Sequence, residues 1–286
     1  MGLIKNYARL VKFEHTLFAL PFALIGFFMA LSQHESQLSL RLLVLVLLCM
    51  VFARNAAMGF NRWLDRRFDR LNPRTAQREI PAGVIRPRAA LIFVIANSLF
   101  FITTTWFINQ LCFFLAPVAL FVILFYSYTK RFTPLCHFVL SLGLAIAPMG
   151  AYLAVTGHFG WQPLLLSLVV FFWVSGFDII YALQDEDFDK DLKLKSIPAY
   201  LGKKKALWLS RIIHLTAAVF VMALAVVANG GWLQWTGSAI FTGLLFYQQT
   251  LVKPDDLHKV NLAFFTSNGV ASVLYALFVI AGLLLT

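Results

Sequence analysis

RNAAMGFNRWLDRRFDRLNPRTAQREIPAG, residues 54–83, decides how the rest of the chain is read. It begins inside an apolar run and leaves it through Asn61, Asp65 and Asp69, spaced i, i+4, i+8. On an α-helix each step of four residues advances about 400°, so neighbours drift by only about 40° and the three side chains share one face. Seven arginines, from Arg54 through Arg78, are threaded around them. Paired carboxylates among arginines suit a hard cation together with a polyanion, and magnesium with a diphosphate is the commonest such pair. The alternative is a basic loop that fixes topology, with acids that moderate its charge.

The chain has 286 residues, 60% of them hydrophobic and 13% charged, with a mean hydropathy of +0.78. These values lie outside the range of soluble domains and indicate an all-α, polytopic membrane protein embedded in a lipid bilayer. A net charge of +11 would suit nucleic acid. In so apolar a chain the positive-inside rule accounts for the excess, and no nucleic-acid partner is expected. The first apolar run is long, contains Pro21 and lacks a small-residue cleavage site, so no cleavable signal is expected. Cys49, Cys112 and Cys136 are isolated, without CxxC or Cys/His spacing, and read as small buried hydrophobes. His137, His158 and His214 read as lone residues, with no zinc cluster.

After an amphipathic lead-in carrying Lys5, Arg9 and Lys12, nine apolar runs approach the length needed to span a bilayer. They cover roughly 16–33, 40–60, 89–108, 111–128, 134–155, 163–183, 207–229, 234–252 and 264–285. All lysines and arginines except Arg41 and Arg54 then fall on one side. That bias puts the N-terminus and the two long loops in the cytoplasm and Thr286 outside. Trp106, Trp161, Trp232 and Trp235 fall at the outer ends, where an aromatic belt belongs. Pro21, Pro117 and Pro148 lie within spans, and Gly157, Gly160, Gly230 and Gly231 mark outer turns. The second and sixth runs both exit through acids into long basic loops. A single domain over 1–286, with helices 1–4 and 5–8 as a pseudo-repeat plus helix 9, is the simplest organisation.

The sixth run exits as FDIIYALQDEDFDKDLKLKSIPAYLGKKK, residues 177–205. Asp178, Tyr181, Asp185 and Asp189 stand at i, i+3, i+7, i+11, one face of a continuous helix, with Asp187 and Asp191 turned away. Asp178 precedes the exit by two turns and sits at membrane depth. An ionisable group there is costly unless it faces a polar cavity, which makes it functional by default. The alternative is an interhelical pair with an arginine such as Arg54. Lys193 and Lys195 come next, at a distance that allows them to fold back over a phosphate. Two DxxxD elements on separate helices can hold magnesium ions that bridge one diphosphate.

With these elements the chain resembles the UbiA-type membrane prenyltransferases, in particular the 4-hydroxybenzoate polyprenyltransferases. The resemblance covers nearly the whole chain. It rests on NRWLDRRFD (61–69), NPRTAQREIPAG (72–83), YSYTKR (126–131), DIIYALQDEDFD (178–189) and KLKS (193–196), with the opening KFEHTLFALPFALIGFF (12–28). It implies nine transmembrane helices around a central cavity with a cytoplasmic cap, in a bacterial inner membrane. It implies magnesium ligands at Asn61, Asp65, Asp69, Asp185 and Asp189, and diphosphate contacts from Arg78, Lys130 and Lys193. Asp178 and Tyr181 would line the reacting centre, with Arg54 deeper, near the acceptor. The implied reaction is Mg2+-dependent transfer of a polyprenyl group from polyprenyl diphosphate to an aromatic acceptor, 4-hydroxybenzoate, in ubiquinone biosynthesis. Another aromatic acceptor, of a menaquinone pathway, is the alternative within the family. Outside it stands a divalent-cation or organic-anion transporter, although transporters place charged sites near the midplane.

Overall fold

The computed structural model describes residues 3–11, 16–35 and 37–285, and among these the chain is all-helical. Lys12, Glu14, His15 and Thr286, which figured in the sequence expectations, lie outside the described residues. In chain order the α-helices are α1 Leu3–Val11, α2 Thr16–Gln33, α3 Leu40–Leu64, α4 Arg66–Leu71, α5 Pro87–Trp106, α6 Gln110–Thr129 and α7 Cys136–Thr156. They continue as α8 Trp161–Ala182, α9 Glu186–Asp191, α10 Ile197–Leu201, α11 Lys203–Val227, α12 Trp232–Thr250 and α13 Asn268–Leu285. Each of the nine apolar runs is helical. Seven of these helices are long and apolar enough to cross a membrane, and α2 and α12 are not among the seven. The chain is an integral membrane protein.

Two compact units are present, Met1–Thr16 with Leu40–Tyr128, and Leu17–Ser39 with Thr129–Thr286. In the first, α3 packs along α5 and against α1. Gly59 permits the close approach to α5, since a Cβ there would lie 3.0 Å from Val94 Cγ2. Asn55 donates across the same interface to Asn97 Oδ1 at 3.0 Å. A small cluster of Leu10, Ile80, Ile85 and Ala90, backed by Tyr7, Trp63 and Phe93, fastens the loop after α4 to the helices beneath it. A loop with so many arginines is held in one shape by this apolar underside.

In the second unit α8 lies between α7 and α11, α11 packs on α12, and α12 packs on α13. Phe18, Phe22, Trp173, Phe177, Phe241 and Tyr275 form the aromatic centre of its core. Two close approaches shape it. A Cβ on Gly176 would fall 2.0 Å from His214 Cδ2. A Cβ on Gly26 would fall 2.1 Å from the Pro148 carbonyl oxygen. Ahead of α13, Leu262–Ser267 winds as a π-helix. Such a turn carries one residue more than an α turn and loosens the carbonyls around it. Gln248 Nε2 donates to the Ala263 carbonyl at 2.6 Å and Asn268 Nδ2 to that of Phe264 at 2.8 Å, which restores the lost bonds. Trp106, Trp161 and Trp232 are exposed at helix ends, as an aromatic belt requires.

The expected continuity of the acidic helices does not hold. The third helix stops at Leu64 and α4 begins at Arg66. The eighth stops at Ala182, a 3-10 turn covers Leu183–Asp185, and α9 begins at Glu186. Neither break contains glycine or proline.

Candidate active site

The same local device appears in both units. Asp65 sits in the break between α3 and α4 with φ −85° and ψ 3°. Asp185 sits in the break after α8 with φ −105° and ψ 7°. Both lie in the sparsely populated bridge region, where active-site residues are often found. Each is succeeded by a six-residue helix that carries the second acid of the pair, Asp69 in α4 and Asp189 in α9. Asp69 and Asp189 are buried.

In the first unit Asn61 Nδ2 donates to Asp65 Oδ2 at 3.1 Å. The chain stops after α4 at Asn72–Pro73. There Asn72 Oδ1 accepts from the Arg74 N–H at 2.9 Å, an Asx turn. Thr75 Oγ1 donates to the Asp69 carbonyl at 3.0 Å. These turns fold the loop back so that Arg78 Nη1 lies 2.6 Å from Asp69 Oδ1. Asp69 Oδ2 is buried with no hydrogen-bond partner among the described residues. Arg62 was expected only as one of the loop cations. It is buried, with Nε and Nη1 unpartnered among the described residues. Arg54, half-buried in α3, donates from Nη2 to the Val11 carbonyl at 3.1 Å and so ties α3 to α1.

In the second unit Lys130 Nζ stands 3.7 Å from Asp189 Oδ1, an oxygen with no hydrogen-bond donor of its own among the described residues. Glu186 is buried between Lys190, at 2.5 Å, and Lys203, at 3.7 Å. Asp187 is exposed. Lys193 is exposed in a left-handed turn, φ 55°. The segment that carries it is stitched down twice, by Lys195 N–H to the Lys130 carbonyl at 2.6 Å and by Leu194 N–H to the Asp189 carbonyl at 2.8 Å. Tyr181 stacks on Phe264 of the π-helix, with centroids 4.1 Å apart.

Asp178 meets neither of its expected surroundings fully. Its partner within the second unit is His137 of α7, Nδ1 to Oδ2 at 2.7 Å. His137 was expected to stand alone, as were His158 and His214. His158 instead lies 5.0 Å from His34, ring to ring, and His214 Nδ1 is 2.8 Å from Gln249 Nε2. His137 had one legible signal, its position just inside an apolar run, where an ionisable side chain needs a polar partner. Cys136 is also more than a small hydrophobe, since its Sγ lies 3.5 Å from the Lys195 carbonyl.

Within either unit, among the described residues, no three His, Cys, Asp or Glu side chains converge on one point. Each unit does offer a buried aspartate oxygen that lacks a donor, Asp69 Oδ2 and Asp189 Oδ1. A hard divalent cation fits such oxygens, because an anionic acceptor left unmatched in a buried setting is otherwise costly.

The sequence profile of the UbiA prenyltransferase family matches residues 19–269. A 4-hydroxybenzoate octaprenyltransferase of Tolumonas auensis is 31% identical, over 82% of this chain and 82% of its own. That of Aliivibrio salmonicida is 28% identical, over 82% of this chain and 81% of its own. Among solved structures, the apo form of a UbiA homolog from Aeropyrum pernix K1 superposes with a TM-score of 0.80 at 30% identity, covering 95% of this chain and 98% of that one. A UbiA homolog from Archaeoglobus fulgidus bound to GPP and Mg2+ shares the fold, with a TM-score of 0.78 at 24% identity over 97% and 99% of the two chains.

Proposed function

The chain belongs to the UbiA prenyltransferase family, and from that premise we propose that it moves a polyprenyl group from a polyprenyl diphosphate to an aromatic acceptor, 4-hydroxybenzoate, in quinone biosynthesis. The observation that carries the reading is the recurrence of one device in both units: a DxxxD whose first acid sits in a helix break and whose second is buried with an oxygen that no donor among the described residues meets. Asn61, Asp65 and Asp69 with Asp185 and Asp189 would hold magnesium. When bound, the metal neutralises diphosphate charge and stabilises the leaving oxygen.

The chain's own residues do the rest. Arg78 and Lys130 already stand against Asp69 and Asp189. Cations so placed serve both the acids and a diphosphate beside them. Lys193 and the buried Arg62 add charge of the same sign. Apolar helices keep water from the allylic cation left when the diphosphate departs. The acceptor ring attacks through the carbon ortho to its hydroxyl, and Asp178 takes the proton that this carbon loses. Tyr181, held face-on by Phe264, lines the reacting centre. The planar fork of Arg54 suits an acceptor carboxylate. The bias of basic residues supports nine spans, with the N-terminus and both acidic loops on the cytoplasmic side of a bacterial inner membrane. The activities of the Tolumonas and Aliivibrio relatives, and the GPP and Mg2+ bound by the Archaeoglobus homolog, support the substrate classes.

The test is mass spectrometry of products from the purified chain in lipid nanodiscs with magnesium, one polyprenyl diphosphate and a panel of aromatic acceptors. A prenylated 4-hydroxybenzoate is expected, lost in Asp65→Asn and in Asp185→Asn by about 100-fold or more, as for removal of a metal or oxyanion contact. A clear adduct of another aromatic without one of 4-hydroxybenzoate overturns the acceptor. Uptake of organic anion into sealed vesicles without any adduct overturns the enzyme reading.

A further inference from the structure

His137 has two ring nitrogens and both are engaged. Nδ1 is 2.7 Å from Asp178 Oδ2, and Nε2 is 3.2 Å from the backbone nitrogen of Ile197. The second contact decides the first. A backbone N–H can only donate, so Nε2 must present its lone pair. The single proton of a neutral imidazole is then on Nδ1 and points at Asp178, whose oxygen accepts it. Asp178 is thereby held as an ionised carboxylate. A ring protonated on both nitrogens would turn a donor toward the Ile197 N–H and break that bond. The imidazole itself is buried, and Ser141 Oγ caps the His137 carbonyl at 2.6 Å.

Ile197 begins α10 directly after the segment that carries Lys193 and Lys195. That segment is also tied to Lys130 and Cys136. The imidazole therefore joins two things that are far apart in sequence: the carboxylate at depth in α8, and the basic turn after α9.

We propose that His137 is a positioning residue, a neutral imidazole latch that orients the Asp178 carboxylate with one nitrogen and locks the Lys193–Ile197 turn with the other. For its catalytic consequence the proposal rests on the reading of Asp178 as proton acceptor and Lys193 as a diphosphate contact. The latch itself does not depend on that reading.

Two substitutions separate the halves. Asn places an amide N–H where Nδ1 stood but cannot reach Ile197. Gln places an amide oxygen near the position of Nε2 but offers Asp178 no donor. The full chain in nanodiscs is assayed for prenyl transfer, with KM for the allylic diphosphate and kcat read separately. For an outer-shell partner of a functional group the expected loss is about 10-fold to 100-fold. H137N is expected to raise the KM for diphosphate with kcat held, and H137Q to lower kcat with KM held. Equal effects of the two on both parameters, or no effect of either, overturn the split.

Two further measurements need no activity. Nitrogen-15 spectra of the wild-type ring are expected to show Nδ1 protonated and Nε2 bare; a protonated Nε2 overturns the latch. Amide exchange at Ile197 is expected to be slow in wild type and H137Q and fast in H137N; equal exchange in all three does the same. If wild type transfers no prenyl group yet passes both, the enzyme reading fails and the latch stands.

Discussion

Arg78 reaches back nine residues to set its Nη1 2.6 Å from Oδ1 of Asp69. The other oxygen of that carboxylate is left without a donor among the described residues. One cation is thus already in place on Asp69, and half of its acceptor capacity stays open. Replacing Arg78 with Leu strands both oxygens, which costs about 1–3 kcal/mol for a buried acceptor group left unmatched. Thermal unfolding in EDTA is expected to fall by that amount, with part of the loss recovered on adding magnesium. An Arg78→Leu protein as stable as wild type in EDTA contradicts this account of Asp69.

Divalent metal is expected to stabilise the folded chain by mass action, by about 2.7 kcal/mol when its concentration is a hundred times its dissociation constant. Calorimetric scans with EDTA, magnesium and calcium read this directly. The increment is expected to shrink in Asp69→Asn and in Asp189→Asn, because each removes a charged oxygen ligand. An increment of the same size in both variants would separate metal binding from these acids.

Gly176 and Gly243 make a matched pair of glycines in helices. A Cβ on Gly176 would lie 2.0 Å from the His214 ring, while one on Gly243 would meet nothing within 4 Å. Gly176→Ala is expected to destabilise by about 1–3 kcal/mol through overpacking between α8 and α11. Gly243→Ala is expected to stabilise by about 0.4–1 kcal/mol through helix propensity and a less flexible unfolded chain. Denaturation midpoints of the two variants in one detergent decide it, and similar shifts in the same direction would refute the close approach.

Asn268 is fully buried and serves two elements at once. Its Oδ1 accepts from Trp173 Nε1 at 2.9 Å, and its Nδ2 donates to the Phe264 carbonyl at 2.8 Å. Asn268→Leu keeps the volume and orphans both partners, so a loss of about 2–4 kcal/mol is expected for two unmet groups. Trp173 fluorescence is expected to shift as its indole loses the acceptor. An unchanged spectrum with unchanged stability would show that neither bond matters.

The helices were legible because apolar runs of spanning length declare themselves, and the acids and arginines were legible because charge at a helix exit is conspicuous. The positions at which those helices break could not be read. Asp65 and Asp185 carry no intrinsic breaking signal, and periodicity alone extends each helix through them. Their hinge conformation is imposed by the segments downstream: Asn72 turning the chain back in one unit, and Lys195 fastened to Lys130 in the other. The same holds for His137. Its partner Asp178 is forty-one residues away, and pairing over such a span is a tertiary fact that no local spacing announces. The π-helix at Leu262–Ser267 is likewise held by Gln248 and Asn268 rather than by its own composition.

That wide turn has one more effect, on rotation. Each residue of a helix advances its side chain by about 100°, so the extra member in Leu262–Ser267 swings everything after it by that angle. Tyr275 and Val279 face the core only with that residue counted in. Losing a single codon from this turn would therefore leave α13 nearly as long as before but aimed at the wrong neighbours, with either Phe264 under Tyr181 or the buried stripe beyond it sacrificed.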